Sequence, residues 1–283
     1  MTLATHDPMV STEWLAEHLD EPGVVIIDAS WFMPGTPRDA RAEHAQVHIP
    51  GAVFFDIDEI SDHANPLPHM LAEPADFATH VRRLGVEPDS EVVIYDSEGL
   101  FSAPRVWWNF RVMGHDAVSV LDGGLRKWLA EARSVEAGWP QREHGEFKAH
   151  YQPALVHDLG QMRGVLETKA EQVIDARPAA RFHGEAPEPR AGLRGGHMPT
   201  AKNLPSASLV QTDGTLADKQ TLARLFADAG ADLDLPIVAT CGSGVSAAIL
   251  ALGLARLGRW DVPVYDGSWS EWGGRSDTPI ETP

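Results

Sequence analysis

The chain has 283 residues, of which 43% are hydrophobic and 23% charged, with 25 Gly and 21 Pro. That is enough for two ordinary domains or one large one with a sizeable core, and it excludes disordered, collagen-like and disulfide-knotted chains. Lys+Arg 23 against Asp+Glu 41 leaves a net charge of −18, which repels a phosphate backbone and an acidic membrane surface alike, so neither nucleic acid nor membrane is an expected partner.

In chain order, the opening MTLATHDPMV has no basic start and no apolar core, so no signal peptide is expected and a cytoplasmic location is. Ser11 or Thr12 can cap a helix carrying Trp14, Leu15 and Leu19. A strand is predicted over Val24–Asp28. A helix through Phe77, Val81 and Leu84 should stop at Gly85. Then come a strand Val92–Tyr95, a helix around Val106–Val112 and a strand Val118–Leu121. The same series returns as Val173–Asp175, a helix through Leu222, Leu225 and Phe226 stopping at Gly230, Pro236–Thr240, Val245–Leu257 and Val262–Tyr265. Leu235 to Ala255 carries no charge and is just long enough to span a bilayer. Pro236, the Gly242 and Gly244 pair and Gly253 favour a strand, a tight turn and a buried helix instead.

The recurrence extends to motifs. VVIIDAS (24–30) returns as QVIDAR (172–177), VHIPGA (47–52) as GHMPTA (196–201), and LDGGLRKW (121–128) as YDGSWSEW (265–272). RRLGVEPDSEVVIYDS (82–97) matches LFADAGADLDLPIVATCG (225–242) in plan. The offsets are nearly constant: Asp28 to Asp175 is 147, His48 to His197 is 149, Gly85 to Gly230 is 145 and Asp122 to Asp266 is 144. One domain therefore occurs twice. Its first copy is placed at 8–135, a linker at 136–157 and its second copy at 158–283. Strands without polar alternation, each followed by a helical pattern, predict an α/β fold: in each copy a parallel sheet flanked by helices.

Cys241 is the one cysteine, so no intramolecular disulfide or zinc knuckle can form, and a reducing compartment is expected. It falls at the C-terminal end of a predicted parallel strand, where open α/β sheets bind ligands. The loop Cys241-Gly242-Ser243-Gly244-Val245-Ser246 can curl tightly at a helix start and turn N–H groups toward the sulfur, stabilising negative charge there. That context favours a reactive thiol over a buried structural one. A second cluster, RFHGEAPEPRAGLRGGH (181–197), holds Arg181, Arg190 and Arg194. By residue type it reads equally as a clamp for a carboxylate and as a loop salt-bridged through Glu185 and Glu188. Trp107, Trp108, Trp128 and Trp272 are expected in the core. His48, His197, Asp28 and Asp175 occur in both copies and are expected to be structural, and His63 and His69 show no metal-ligand pattern.

On these motifs the whole chain resembles the tandem-rhodanese sulfurtransferases, and CGSGVS followed by Ala resembles the active loop of their 3-mercaptopyruvate group, with Ser246 where Thr is usual. The resemblance implies two rhodanese-like domains of which only the second is active. It implies a Cys241 persulfide, a loop lined by Gly242, Gly244, Val245 and Ser246, and Arg181 and Arg190 on the substrate carboxylate and carbonyl. FDIDEISDHANPLPHM (55–70) resembles the first-domain segment that closes over the site, which implies a relay of Asp58 and His69 with Ser243. The implied partners are a small anionic sulfur donor and a thiol acceptor such as thioredoxin, or cyanide; no metal or organic cofactor is implied. Thiosulfate-preferring members carry basic residues at the two positions after the cysteine, where this chain has Gly242 and Ser243. Three rivals stand beside mercaptopyruvate transfer. One is thiosulfate:cyanide transfer. A cysteine phosphatase would need Arg at the position held by Ala247, and a non-catalytic sulfur carrier would not need an intact loop. Copy one has Asp96 at the position of Cys241, with Glu98 beside it, so it cannot form a persulfide.

Overall fold

The computed structural model describes residues 7–282; residues 1–6, part of the opening segment read above, and residue 283 lie outside it. The chain divides into two compact units. Unit 1 holds the described residues up to Asp62 together with Leu71–Gln152 and Gln211–Leu216, and unit 2 holds His63–Met70, Pro153–Val210 and the described residues from Ala217 onward.

Unit 1 runs β1 (Met9–Val10), α1 (Thr12–His18), β2 (Val24–Asp28), α2 (Ala40–Gln46), β3 (Val53–Phe54), α3 (Pro74–Arg83), β4 (Glu91–Tyr95), α4 (Ala103–Val112), β5 (Val118–Leu121) and α5 (Gly124–Ala130). Its strands form a five-stranded parallel sheet in the order β1-β5-β4-β2-β3. All five residues of β2 are buried, as a strand covered on both faces requires. Ser11 caps α1 by accepting the Trp14 N–H at 3.1 Å. Gly85, at φ 78, ends α3 in the left-handed conformation that favours glycine. Helix α4 starts before the expected Val106 because Pro104 suits its first turn, where no N–H is needed.

Unit 2 repeats the plan with β6 (Val156–His157), α6 (Leu159–Thr168), β7 (Gln172–Asp175), α7 (Ala179–Phe182), β8 (Lys202–Asn203), α8 (Lys219–Asp228), β9 (Ile237–Thr240), α9 (Ala247–Arg256), β10 (Val264–Tyr265) and α10 (Ser268–Trp272). The parallel order β6-β10-β9-β7-β8 matches unit 1 strand for strand. Strand β10 is shorter than the expected Val262–Tyr265, since Pro263 has no N–H for a ladder. Helix α9 starts after the expected Val245, because Val245 and Ser246 complete the preceding turn. Residues Ala247–Ala255 of α9 are all buried. No helix among the described residues is long and apolar enough to cross a membrane.

The segment joining the copies lies along unit 1. Glu136 bridges to His48, and the N–H groups of Gly145, Phe147, His150 and Gln152 donate to carbonyls of Arg82, Val86, Met113 and Val112. Phe147 is buried against Phe77, Phe110 and His115. Each of the four singled-out tryptophans is buried. Asp28 and Asp175 end their strands by hydrogen bonding, Asp28 to Ser30, His44 and Tyr95, and Asp175 to Arg177.

Candidate active site

Central strand β9 delivers Cys241 from its C-terminal end into a turn that closes at the start of α9. The cysteine is 1% exposed, and Ser243 is also buried. Gly244 sits at φ 77, a conformation that favours glycine and lets the chain double back. The turn is held from below by the start of α10. Ser268, itself left-handed at φ 48, donates its hydroxyl to the Tyr265 carbonyl at 2.7 Å. The same oxygen accepts the N–H groups of Cys241 and Gly244 at 3.2 and 3.1 Å. The Cys241 carbonyl takes the Trp269 N–H at 2.9 Å, and the Gly242 carbonyl takes both the N–H and the hydroxyl of Ser270 at 2.8 and 2.7 Å.

This narrows the expectation that the loop amides gather on the sulfur. The Cys241 and Gly244 N–H groups are turned to Ser268; those of Gly242, Ser243, Val245 and Ser246 lie outside these bonds. Ser268 and Ser270 were missed from the sequence, although YDGSWSEW stood out as a repeat. Its Ser268 takes the place of Gly124 in LDGGLRKW, and both residues are left-handed, at φ 48 and 53.

Arg181, on α7, lies against the loop: a Cβ built on Gly242 would stand 3.0 Å from its Nη2. Glu188 holds that guanidinium through one oxygen, with Nε at 3.1 Å. Its other oxygen accepts from Arg177 at 2.8 Å. Arg177 is buried over the Trp269 ring, 4.1 Å from its centroid, and also binds Asp175 and the Gly196 carbonyl. Burial pushes the Arg177 guanidinium down, but Asp175 and Glu188 outweigh it and hold it above its ordinary range. Of the two readings of the arginine loop, the salt bridge is the one observed: Arg181 pairs with Glu188, not Glu185, and its guanidinium faces the cysteine turn.

Arg190 donates to Nε2 of His69 at 3.2 Å, so His69 from the 63–70 segment belongs to the arginine cluster of unit 2. His69 is buried and left-handed at φ 59, the kind of backbone outlier that concentrates at functional sites. Asp58 lies in unit 1, where it accepts the indole N–H of Trp31 at 2.9 Å. Arg194 serves the fold, tying the carbonyls of Trp272, Gly273 and Thr278 together. His197 stacks on Phe182, and His48 stacks on His44 in the matching place of unit 1. No group of three or more His, Cys, Asp or Glu side chains among the described residues could hold a metal ion.

In unit 1 the turn after β4 holds Asp96. One carboxylate oxygen accepts the N–H groups of Phe101, Ser102 and Ala103 at 2.7 to 2.9 Å, and the other accepts that of Glu98 at 2.9 Å. Burial pushes the Asp96 carboxyl above the ordinary carboxylate range, against the pull of these donors.

The rhodanese-like domain family matches this duplicated fold twice, over residues 11–131 and 158–275. The chain belongs to the rhodanese-like family. It is 46% identical over 273 residues to the 3-mercaptopyruvate sulfurtransferase of Escherichia coli strain K12, covering 96% of this chain and 97% of that one. It is 44% identical to the thiosulfate sulfurtransferase of Cricetulus griseus, covering 93% of this chain and 91% of that one. The crystal structure of SseA from Escherichia coli superposes on this rhodanese-like chain with a TM-score of 0.86 and 44% identity, covering 93% of this chain and 99% of SseA.

Proposed function

We infer that this rhodanese-like protein is a sulfurtransferase that takes sulfur from 3-mercaptopyruvate, holds it as a Cys241 persulfide and passes it to a second substrate. The observation that carries this is Cys241 at the tip of a central parallel strand, in a turn anchored by Ser268 and faced by Arg181. The identity to named 3-mercaptopyruvate sulfurtransferases over nearly the whole chain supports it.

Arg181 and Arg190 bind the donor's carboxylate and carbonyl through charge-assisted hydrogen bonds. The Cys241 thiolate attacks the donor sulfur. As the S–S bond forms, the C–S bond breaks, and its electron pair leaves on carbon as the enolate of pyruvate, which takes up a proton to give pyruvate. Ser243, with His69 and Asp58, manages that proton. The N–H groups of Gly242, Gly244, Val245 and Ser246 form the lining of the turn, and those outside the Ser268 bonds stabilise the charged sulfur. An acceptor thiol such as thioredoxin, or cyanide, then attacks the outer sulfur and releases the Cys241 thiolate, a ping-pong sequence needing no metal or organic cofactor.

The first copy, placed at 8–135 and joined through 136–157 to the active copy at 158–283, is catalytically silent because Asp96 stands where the nucleophile would be. The net charge of −18 and the lone cysteine fit a cytoplasmic enzyme acting on small molecules and thiols, not on nucleic acid or membranes. Thiosulfate transfer is the second reading, supported by the identity to the thiosulfate sulfurtransferase of Cricetulus griseus. The test is intact mass after donor addition: 3-mercaptopyruvate should add one sulfur, lost on adding cyanide and absent in Cys241→Ser. No gain with either donor overturns the assignment.

A further inference from the structure

Glu188 is a buried carboxylate, its side chain 1% exposed, with Arg177 on one oxygen and Arg181 on the other. Arg177 is equally buried and carries Asp175 on its far side, whereas Arg181 is 18% exposed. Asp175, Arg177, Glu188 and Arg181 form one chain of alternating charge that sums to zero. It runs from the end of β7 to the turn that bears Cys241. Buried ion pairs of this kind are held for geometry as much as for stability. Here the geometry is specific: the bonds through Nε and Nη2 fix the plane of the Arg181 guanidinium, and the bare Cα of Gly242 leaves room for it.

We propose that Glu188 is a specificity-determining residue, which positions Arg181 against the Cys241 turn and cancels its charge, so that the site favours a donor bearing one carboxylate over a compact dianion. This rests on the sulfurtransferase reading above. A guanidinium saturated on its Nε edge still offers N–H groups to a carboxylate, and directional hydrogen bonds survive a nearby countercharge. Thiosulfate and sulfate concentrate two charges on a small group and depend on net positive potential, which a carboxylate in contact with Arg181 removes.

The test compares Glu188→Gln and Glu188→Asp with wild type, using 3-mercaptopyruvate and thiosulfate as donors and cyanide as acceptor at fixed ionic strength. Sulfate affinity is measured by calorimetry as a probe independent of turnover. Glu188→Gln should shift the ratio of kcat/KM toward thiosulfate by about 10-fold or more, chiefly through a lower thiosulfate KM, and should tighten sulfate several-fold. Glu188→Asp keeps the charge and should keep the wild-type ratio, while the looser Arg181 raises the 3-mercaptopyruvate KM by roughly 3-fold or more at unchanged kcat. A Glu188→Gln protein that loses both donors equally, or a Glu188→Asp protein whose ratio shifts as far as the amide's, overturns the proposal. If the amide does not fold, an unchanged 3-mercaptopyruvate KM in Glu188→Asp overturns it. A wild type inert toward both donors, with sulfate still tightened by Glu188→Gln, overturns the sulfurtransferase reading but supports the charge assignment; unchanged sulfate affinity overturns the charge assignment.

Discussion

Asp96 and Cys241 hold the same position in two copies of one sheet. Each follows the last residue of the strand paired with the one that ends in Asp28 or Asp175: Tyr95 is in register with Asp28, and Thr240 with Asp175. The carbonyl of each takes an N–H from the helix after the next strand, Leu125 at 3.0 Å and Trp269 at 2.9 Å. In unit 1 the turn wraps the Asp96 carboxyl group in backbone donors. In unit 2 the matching turn bears Cys241, and its Cys241 and Gly244 N–H groups go to the Ser268 hydroxyl. Copy one thus displays how such a turn gathers backbone donors on a single side chain.

The two positions should therefore respond oppositely to substitution. Cys241→Ser is expected to fold normally and to retain less than about one part in a thousand of transfer activity, since a hydroxyl stays protonated near neutral pH. Asp96→Ala strands the four N–H groups that its carboxylate accepts. It should cost about 2–4 kcal/mol of stability. Turnover per folded molecule should be nearly preserved. Thermal melts and active-site titration check both.

The duplication, the parallel sheets and the place of Cys241 were legible because they follow from apolar runs and from motif order, which local sequence carries. What was not legible depends on partners far along the chain. Phe147 sits in a polar, Gly-rich stretch that reads as a joint, yet its ring fills a gap beside Phe77 and Phe110. Residues 63–70 follow β3 of copy one but belong to unit 2, and residues 211–216 belong to unit 1, where the Leu216 N–H bonds Asp122 at 2.7 Å. Glu188 appeared only as one of two possible counter-ions in the Arg loop. That it joins Arg177 to Arg181 depends on side-chain directions that spacing does not reveal.

Ser268 tests how far the cysteine turn depends on its support. Ser268→Ala removes the acceptor for the Cys241 and Gly244 N–H groups and keeps a left-handed backbone that alanine tolerates poorly. A loss of about 2–3 kcal/mol in stability is expected, with kcat/KM lower by roughly 10- to 100-fold as the turn loosens. Ser268→Gly, which recreates the Gly124 of copy one, should recover about 1 kcal/mol of the stability but not the rate. Equal kinetics in all three proteins would show that the serine only fills space.

Gly145 and Gly164 form a matched pair for the joining segment. A Cβ on Gly145 would run into the Val86 carbonyl, whereas one on Gly164, inside α6, meets nothing within 4 Å. Gly145→Ala should destabilise by about 2–4 kcal/mol, by prying the segment off unit 1. Gly164→Ala should stabilise by about 0.5–1 kcal/mol through helix propensity. Urea titrations of both would read these directly.

His157 couples stability to pH. Burial pushes its imidazole down, but the hydrogen bonds and charge of Glu171, at 3.0 and 3.1 Å, outweigh this and raise it above the ordinary 6.5. A group raised in the folded state lends stability that is full below its unfolded value and is lost as pH rises through the folded one. His157→Gln should therefore cost more below pH 6 than above pH 9. The difference should be no more than about 1 kcal/mol for a pair this close to the surface. A penalty that grows with pH would contradict the pairing.

Donor choice is the most informative measurement, because the turn, the arginines and Glu188 all bear on it. The two residues after Cys241, Gly242 and Ser243, are neutral, in a chain of net charge −18. A unit charge about 4 Å from an anion contributes about 4 kcal/mol at an effective dielectric of about 20, before desolvation takes part of it back. Without such a charge, 3-mercaptopyruvate should be favoured over thiosulfate by at least ~10-fold in kcat/KM, equivalent to about 1.4 kcal/mol. Arg190→Ala should weaken use of 3-mercaptopyruvate by roughly 2–4 kcal/mol, the scale of a lost charge-assisted contact. Gly242→Arg combined with Ser243→Lys should reverse the preference for two reasons. It places positive charge beside the sulfur, and its new Cβ, 3.0 Å from the Arg181 guanidinium, crowds that side chain. The single variant Gly242→Ala separates these causes: it crowds Arg181 without adding charge, so it should raise the 3-mercaptopyruvate KM and leave thiosulfate use almost unchanged. A wild type that already prefers thiosulfate would mean that a neutral turn suffices for a dianion, and thiosulfate transfer would then be the better assignment.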